Sequence, residues 1–372
     1  MINYWRFRYK LYHHSLKMWL ENIKQTSIAI VALFPMALPA LVFIPFVFIG
    51  IIVKPETAPE SFFNTLWGYL LLMYTSVNYQ REGILATRYT HYLASLPTSR
   101  FTKAIGDVGV TLYVANFFVL APILLCVYAL ISFTGNDSEA LAVLVSMGSL
   151  VLLSCYYCVV AVKYKSPWLS LFVFPILVTV LSPELTKLQF VATWLLMILL
   201  DHTVKLSGDY LNLKPTGLTY LFVKWELKNS ENNELILVIF LLLLSMSKVI
   251  VVSVLANTAI YFINFSAFLF GIVLAANLFS VQKLKTELQM FLATYPVTNA
   301  TIQLEAVKYT LAKLVLALVI LLSTGLFNLE QWIVFTAVYG ATVLSIIKWP
   351  SRFILLPIAI GMTLVLAITV AG

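Results

Sequence analysis

Along this chain, apolar runs of about 17–28 residues alternate with short polar segments that carry nearly all of the charge. The runs lie at roughly 26–53, 61–79, 108–133, 139–162, 167–183, 187–203, 234–254, 258–281, 309–327, 330–347 and 353–371. A helix needs about 20 apolar residues to cross a bilayer, whereas a barrel strand would show about 10 of alternating polarity. The pattern predicts an all-α integral membrane protein with about eleven transmembrane helices. Pro35, Pro39 and Pro45 fall inside the first run. Membrane helices tolerate this because neighbouring groups re-satisfy the freed carbonyls.

Composition sharpens the picture. Of 372 residues, 61% are hydrophobic and only 11% charged, with a mean hydropathy of +0.94. A soluble domain carries about 25% charged residues, so this chain has too few to cover a water-facing surface. Its net charge of +8 follows membrane topology, not nucleic-acid binding. With the N-terminus in the cytoplasm, 21 of the 24 Lys and Arg residues fall on inner segments, and only Lys54, Lys187 and Lys248 fall outside. That bias orients a multi-pass protein of the cell's inner membrane. The opening "MINYWRFRYKLYHHSLKMWLENIKQ" is too long and too aromatic for the charged region of a signal peptide, so the first span is expected to be retained.

One polar sentence is written twice. "YLASLPTSRFTKAIGD" (residues 92–107) returns as "FLATYPVTNATIQLEA" (291–306) at an offset of 199. Leu93, Ala94, Pro97, Thr102, Val108, Thr111 and Leu112 meet identical residues without a gap. Each copy follows the second span of its half and precedes the third. Upstream, "LKMWLENIKQ" and "FVKWELKNSENN" each hold two lysines and a Trp, which suits interfacial helices with Trp19 and Trp225 at the headgroup level. The chain therefore divides into two half-repeats, 1–203 with six spans and 204–372 with five. Both proline motifs face the cytoplasm, which makes the repeats parallel. Pro97 and Pro296, each followed by Ser or Thr, predict short capped helices that project as stiff levers toward a partner protein.

This order of elements resembles the membrane subunit of type-2 ATP-binding-cassette exporters: a basic interfacial helix, two spans, a cytoplasmic Leu-Pro-Thr-Ser-Arg helix, then four more spans. The resemblance implies that Leu96, Pro97, Thr98, Ser99 and Arg100 form a coupling helix that docks on a cytoplasmic ABC ATPase. Tyr295, Pro296, Val297, Thr298 and Asn299 would do so in the second half. It also implies two ATPase copies as partners, with ATP and magnesium held there, and membrane lipids or a second permease chain as further neighbours. The departure from the family is the fusion of two units, the second shortened, with Asn299 where the first has Arg100.

Little chemistry competes with that reading. The chain has no G-x-x-x-x-G-K-[ST] loop, no H-E-x-x-H and no G-x-S-x-G, so neither an enzyme nor a resident cofactor or metal is expected. Cys155 and Cys158 have CxxC spacing but lie in an apolar run. Lys248 reads either as a residue snorkelling to the outer interface or as a transport residue. Asp201 and His202 read either as a solvated helix end or as a proton relay. An apolar, aromatic wall suits a hydrophobic or amphipathic cargo such as a peptide, lipid or natural product. The alternative is an ion-driven or facilitative secondary transporter with parallel repeats, which would need a carboxylate buried among the spans.

Overall fold

In a computed structural model of the chain, the described residues are 4–14, 16–17, 37–54, 56–86, 89–95, 97–115, 122–125, 127–128, 131, 137–162, 167–181, 184–203, 231–253, 256–287, 299–349 and 355–371. Every regular element among them is helical. The chain forms two compact units, one of Met1–Phe174 with Glu184–Leu199, the other of Pro175–Pro183 with Leu200–Gly372.

The first unit contains α1 (residues 4–14), α2 (Ala37–Val53), α3 (Pro59–Tyr79), α4 (Arg81–Leu85), α5 (Thr90–Ser95), α6 (Arg100–Val114) and α7 (Asp137–Val162). A π-helical turn (Trp168–Val173) and most of α9 (Lys187–Thr203) complete it; α8 (Phe174–Leu181) lies between them in sequence. At its centre is α3, buried without interruption from Ser61 to Leu71 and packed on α2, α7 and the π turn. α3 is also rich in polar and small residues, with Ser61, Asn64, Thr65, Gly68, Thr75 and Ser76. Several aliphatic positions elsewhere are exposed, such as Leu152 and Leu199 at 53% and 63%, beside a core that is itself mostly aliphatic and aromatic. In a bilayer the solvent is as apolar as Leu, so helix–helix contact is driven by close packing of small residues and by hydrogen bonds. The α3 hydroxyls find acceptors in their own helix: Thr65 donates to the Ser61 carbonyl at 2.6 Å and Thr75 to the Leu71 carbonyl at 2.6 Å.

The π turn has an identifiable cause. Pro175 has no N–H, so the carbonyl of Leu171, four residues back, loses its α-helical donor. Trp67 on α3 supplies one from its indole Nε1 at 3.0 Å. A second indole is met in the same core, where Trp194 donates to the Tyr157 hydroxyl at 2.9 Å. Phe63 packs against Phe190 and Trp194, each with ring centroids at 5.0 Å.

The second unit holds α10 (Glu231–Ser253), α11 (Ala256–Glu287), α12 (Asn299–Ser323), α13 (Leu329–Lys348) and α14 (Leu355–Ala371). α11 packs on α10, α12, α13 and α14. Gly271 brings α11 against the backbone of α13: a Cβ there would stand 3.1 Å from the Phe335 carbonyl oxygen. Gly361 on α14 leaves room for the Phe268 ring. Asn328 caps α13 reciprocally with Gln331, whose Nε2 also donates 2.7 Å to Oδ1 of buried Asn264 on α11.

Among the described residues, three helical segments are long and apolar enough to cross a membrane, Val143–Val162, Ile260–Leu278 and Leu329–Lys348. Shorter apolar helices run over Ile44–Val53, Trp168–Leu181, Ile236–Val251 and Leu355–Ala367. Several helices differ from the expected spans at their ends. α6 starts at Arg100 and α12 at Asn299, about eight and ten residues before the apolar runs expected at 108 and 309. Their polar first turns are helical too; that of α6 is capped and packed as described below. The run expected at 167–183 is one continuous helical stretch over Trp168–Leu181 whose first six residues are π-helical.

Candidate functional site

The richest cluster of polar and aromatic contacts in the first unit gathers at the root of α6. Ser99 is the N-cap: its φ and ψ are −63° and 152°, and its Oγ accepts from the Thr102 N–H at 3.1 Å. The Ser99 and Thr102 hydroxyls also meet at 2.9 Å. Pro97 therefore lies outside the helix, at the bend between α5 and α6. The expected short lever is instead a corner followed by a helix of 15 residues. The helix continues because nothing after Ser99 breaks it, and its two glycines are filled from outside.

Those glycines admit α1. A Cβ on Gly106 would stand 2.8 Å from Cε1 of Tyr4, and one on Gly109 would overlap the Trp5 ring. Tyr4, Arg8 and Tyr12, spaced four apart on one helical face, are all buried. Arg8 is 1% exposed, and its Nη2 donates to the Ile84 carbonyl at 2.6 Å and to Oδ1 of Asp107. Ile84 is in the last turn of α4, where carbonyls lack intrahelical donors. α4 ends at Ala86, in the left-handed region with φ 49°. Arg8 thus closes a helix end and pairs with α6 in one gesture.

Tyr12 donates its hydroxyl to Oε1 of Gln80, the residue that ends α3 and begins α4. Phe7 meets Tyr92 of α5 with ring centroids 5.4 Å apart. Tyr9 stacks on His13 at 4.6 Å and meets Tyr113 edge-on at 5.3 Å. One short helix is therefore bound to the ends of α3 and α4, to α5 and to α6. Burial pushes the Tyr12 phenol up to about 12, with the Tyr113 phenol adding to the rise. Burial also raises Tyr4, opposed by Arg8 and assisted by Asp107.

On the far side of α6 the surface is open. Pro97 and Ser99 are exposed, Phe101 is 72% exposed, and Ile105, Val108 and Leu112 follow along the same face. The corner presents a proline, a hydroxyl and an aromatic ring on a helix fixed from behind. Thr98 is half-buried; Leu96 and the Arg100 side chain are outside the described residues. In the second half, Tyr295, Pro296, Val297 and Thr298 also lie outside them, while Asn299 opens α12.

The other candidates are on other helices. Asp201 is half-buried and His202 exposed in the last turn of α9. Lys248 is half-buried in α10, five residues before its end. On α7, Cys155 is exposed and Cys158 buried, both as free thiols. Among the described residues, no group of three or more His, Cys, Asp or Glu side chains gathers as a metal site.

Sequence reasoning counted Arg8 only as one inner charge and passed over Asp107, Gln80, Gly106 and Gly109. A signal was available for the glycines. Two glycines three apart in a helix leave a flat strip that a second helix can approach closely.

No curated protein and no solved structure matches the chain. A family model, described as a family of unknown function (DUF6136), matches residues 2–367. The chain belongs to that family.

Proposed function

We propose that the chain is the permease subunit of an ABC exporter, driven by a separate cytoplasmic ATPase. The α5–α6 corner would be one docking point, and the segment around Pro296 the other. The observation that carries this reading is mechanical. The corner at Pro97–Ser99 is exposed, yet α6 behind it is capped by Ser99 and held by Arg8, Tyr4 and Trp5. A knob that moves with its helix transmits force, whereas a loose loop dissipates it.

Two features support a doubled design with about eleven spans. α6 and α12 begin 199 residues apart, the same offset that aligns Pro97 with Pro296. Within the first unit α3 packs on α2 and α7; within the second, α11 packs on α10 and α13. The N-terminus then lies in the cytoplasm of the inner membrane. The exposed aliphatic and aromatic faces fit a hydrophobic or amphipathic cargo such as a peptide, lipid or natural product.

The test is co-purification of the full chain with a P-loop ATPase from its own host. Replacing residues 96–100 and 295–299 by Gly-Ser linkers is expected to abolish ATPase capture while the permease still reaches the membrane. Capture that survives both swaps refutes the docking role. Cargo movement in vesicles without any ATPase refutes the exporter reading.

A further inference from the structure

The outer face of α1 carries a pattern that the clamp does not use. Arg6, Lys10, His13, His14 and Lys17 are all exposed. At about 100° per residue the four on α1, Arg6, Lys10, His13 and His14, fall within an arc of about 100° on one side of the helix. The buried Tyr4, Arg8 and Tyr12 occupy the opposite side. No carboxylate of α1 interrupts the basic arc, since residues 4–17 contain none.

A second observation says what this face meets. Tyr9 is at the edge of the arc, 44% exposed, with its hydroxyl 3.4 Å from that of Tyr113. Tyr113 is 42% exposed, and further round α6, on the face away from α1, Leu112 and Val108 are exposed aliphatic residues. Moving from α1 to α6, the surface passes from cationic side chains to a pair of tyrosine hydroxyls and then to bare aliphatic groups. A bilayer has that order, from phosphate layer through interface to acyl chains, and tyrosine favours the middle zone. The acidic surface of a partner protein would match the charges but leave Val108 and Leu112 without an apolar neighbour.

We infer that the Arg6–Lys10 face of α1, with Lys17 just beyond its end, is a docking surface for anionic phospholipid headgroups, with Tyr9 and Tyr113 at the headgroup–acyl boundary. This does not depend on the exporter reading. Because α1 is bolted to α6 through Arg8 and Asp107, the lipid phosphates would hold the α5–α6 corner at a fixed depth.

The test uses the full chain in nanodiscs of phosphatidylcholine alone or with phosphatidylglycerol. Spin-labelled phosphatidylglycerol and phosphatidylcholine are compared for association with the protein. Each basic side chain near an anionic surface contributes a preference of about fivefold. Arg6→Gln/Lys10→Gln/Lys17→Gln is therefore expected to lower the selectivity for phosphatidylglycerol at least about tenfold, with unchanged unfolding in phosphatidylcholine. Raising the salt from 0.1 to 1 M shrinks the Debye length from about 10 to about 3 Å and should remove the selectivity in the parent protein. If the triple variant unfolds early, Lys10→Glu and Lys10→Arg replace it, the first expected to weaken selectivity and the second to keep it. Selectivity that survives the charge removals overturns the inference. So does displacement of the lipid by millimolar inorganic phosphate, which would mark a simple anion site. Intact lipid selectivity with loss of a captured protein partner would assign the face to that partner and overturn it as well.

Discussion

Removing the carboxylate of Asp107 strands a guanidinium that has almost no access to water. Arg8 is 1% exposed and Asp107 42%. Breaking a fully buried pair costs about 3–5 kcal/mol, while an exposed pair contributes about 0–1 kcal/mol. With one partner dry and the other half wet, Asp107→Ala is expected to cost about 2 kcal/mol. In a unit of this size each kcal/mol moves the midpoint by about 2–4 °C, so thermal unfolding of the full chain in detergent should fall by about 4–8 °C. A second change separates pairing from mere proximity. Arg8→Met keeps most of the side-chain volume and removes the charge. It also removes the donor to the Ile84 carbonyl, a loss of about 1–3 kcal/mol that falls on both backgrounds. On the Asp107→Ala background that loss is offset by relief of the uncompensated cation, so the two changes together are expected to cost at least about 1 kcal/mol less than the sum of each alone. A midpoint within 1 °C of the parent for Asp107→Ala, or losses that simply add, would refute the pairing as the bond that holds α1 to α6.

Three further expectations follow from single contacts. Gly109→Ala places a methyl group in the Trp5 ring, and overpacking of this kind costs about 1–3 kcal/mol; limited proteolysis should then cut near α1 much faster, and an unchanged digestion rate would count against the close approach. Trp67→Phe leaves the Leu171 carbonyl without its indole donor in an apolar core, an expected loss of about 1–3 kcal/mol in the unfolding midpoint; a neutral Trp67→Phe would mean the π turn satisfies itself. The Tyr12 phenol, raised to about 12 from an unfolded value of about 10, holds its proton more tightly when folded. Its stabilisation is complete below pH 10 and is lost as the pH rises from about 10 to about 12. Tyr12→Phe should therefore flatten the fall of the midpoint over that window, and equal slopes in both proteins would contradict the assignment.

That the chain is helical, with apolar helices long enough to cross a membrane, was legible from the sequence because it depends on run length and charge count, which are local properties. Helices appear where long apolar runs stand, and the start of α6 was marked by Ser99, since an N-cap is decided within four residues. The offset of 199 between the proline motifs is likewise written in the chain itself. What the sequence left open were the partners of particular side chains. Arg8 and Asp107 are 99 residues apart, and Trp67 and Leu171 are 104 apart. No periodicity links such pairs; only the packing of α1 on α6, and of α3 on the π turn, brings them together. The rank of the helices was hidden for a related reason. α3 carries Ser61, Asn64 and Thr65 and yet is buried along most of its length, because α2, α7 and the π turn close around it and its hydroxyls find acceptors in its own helix.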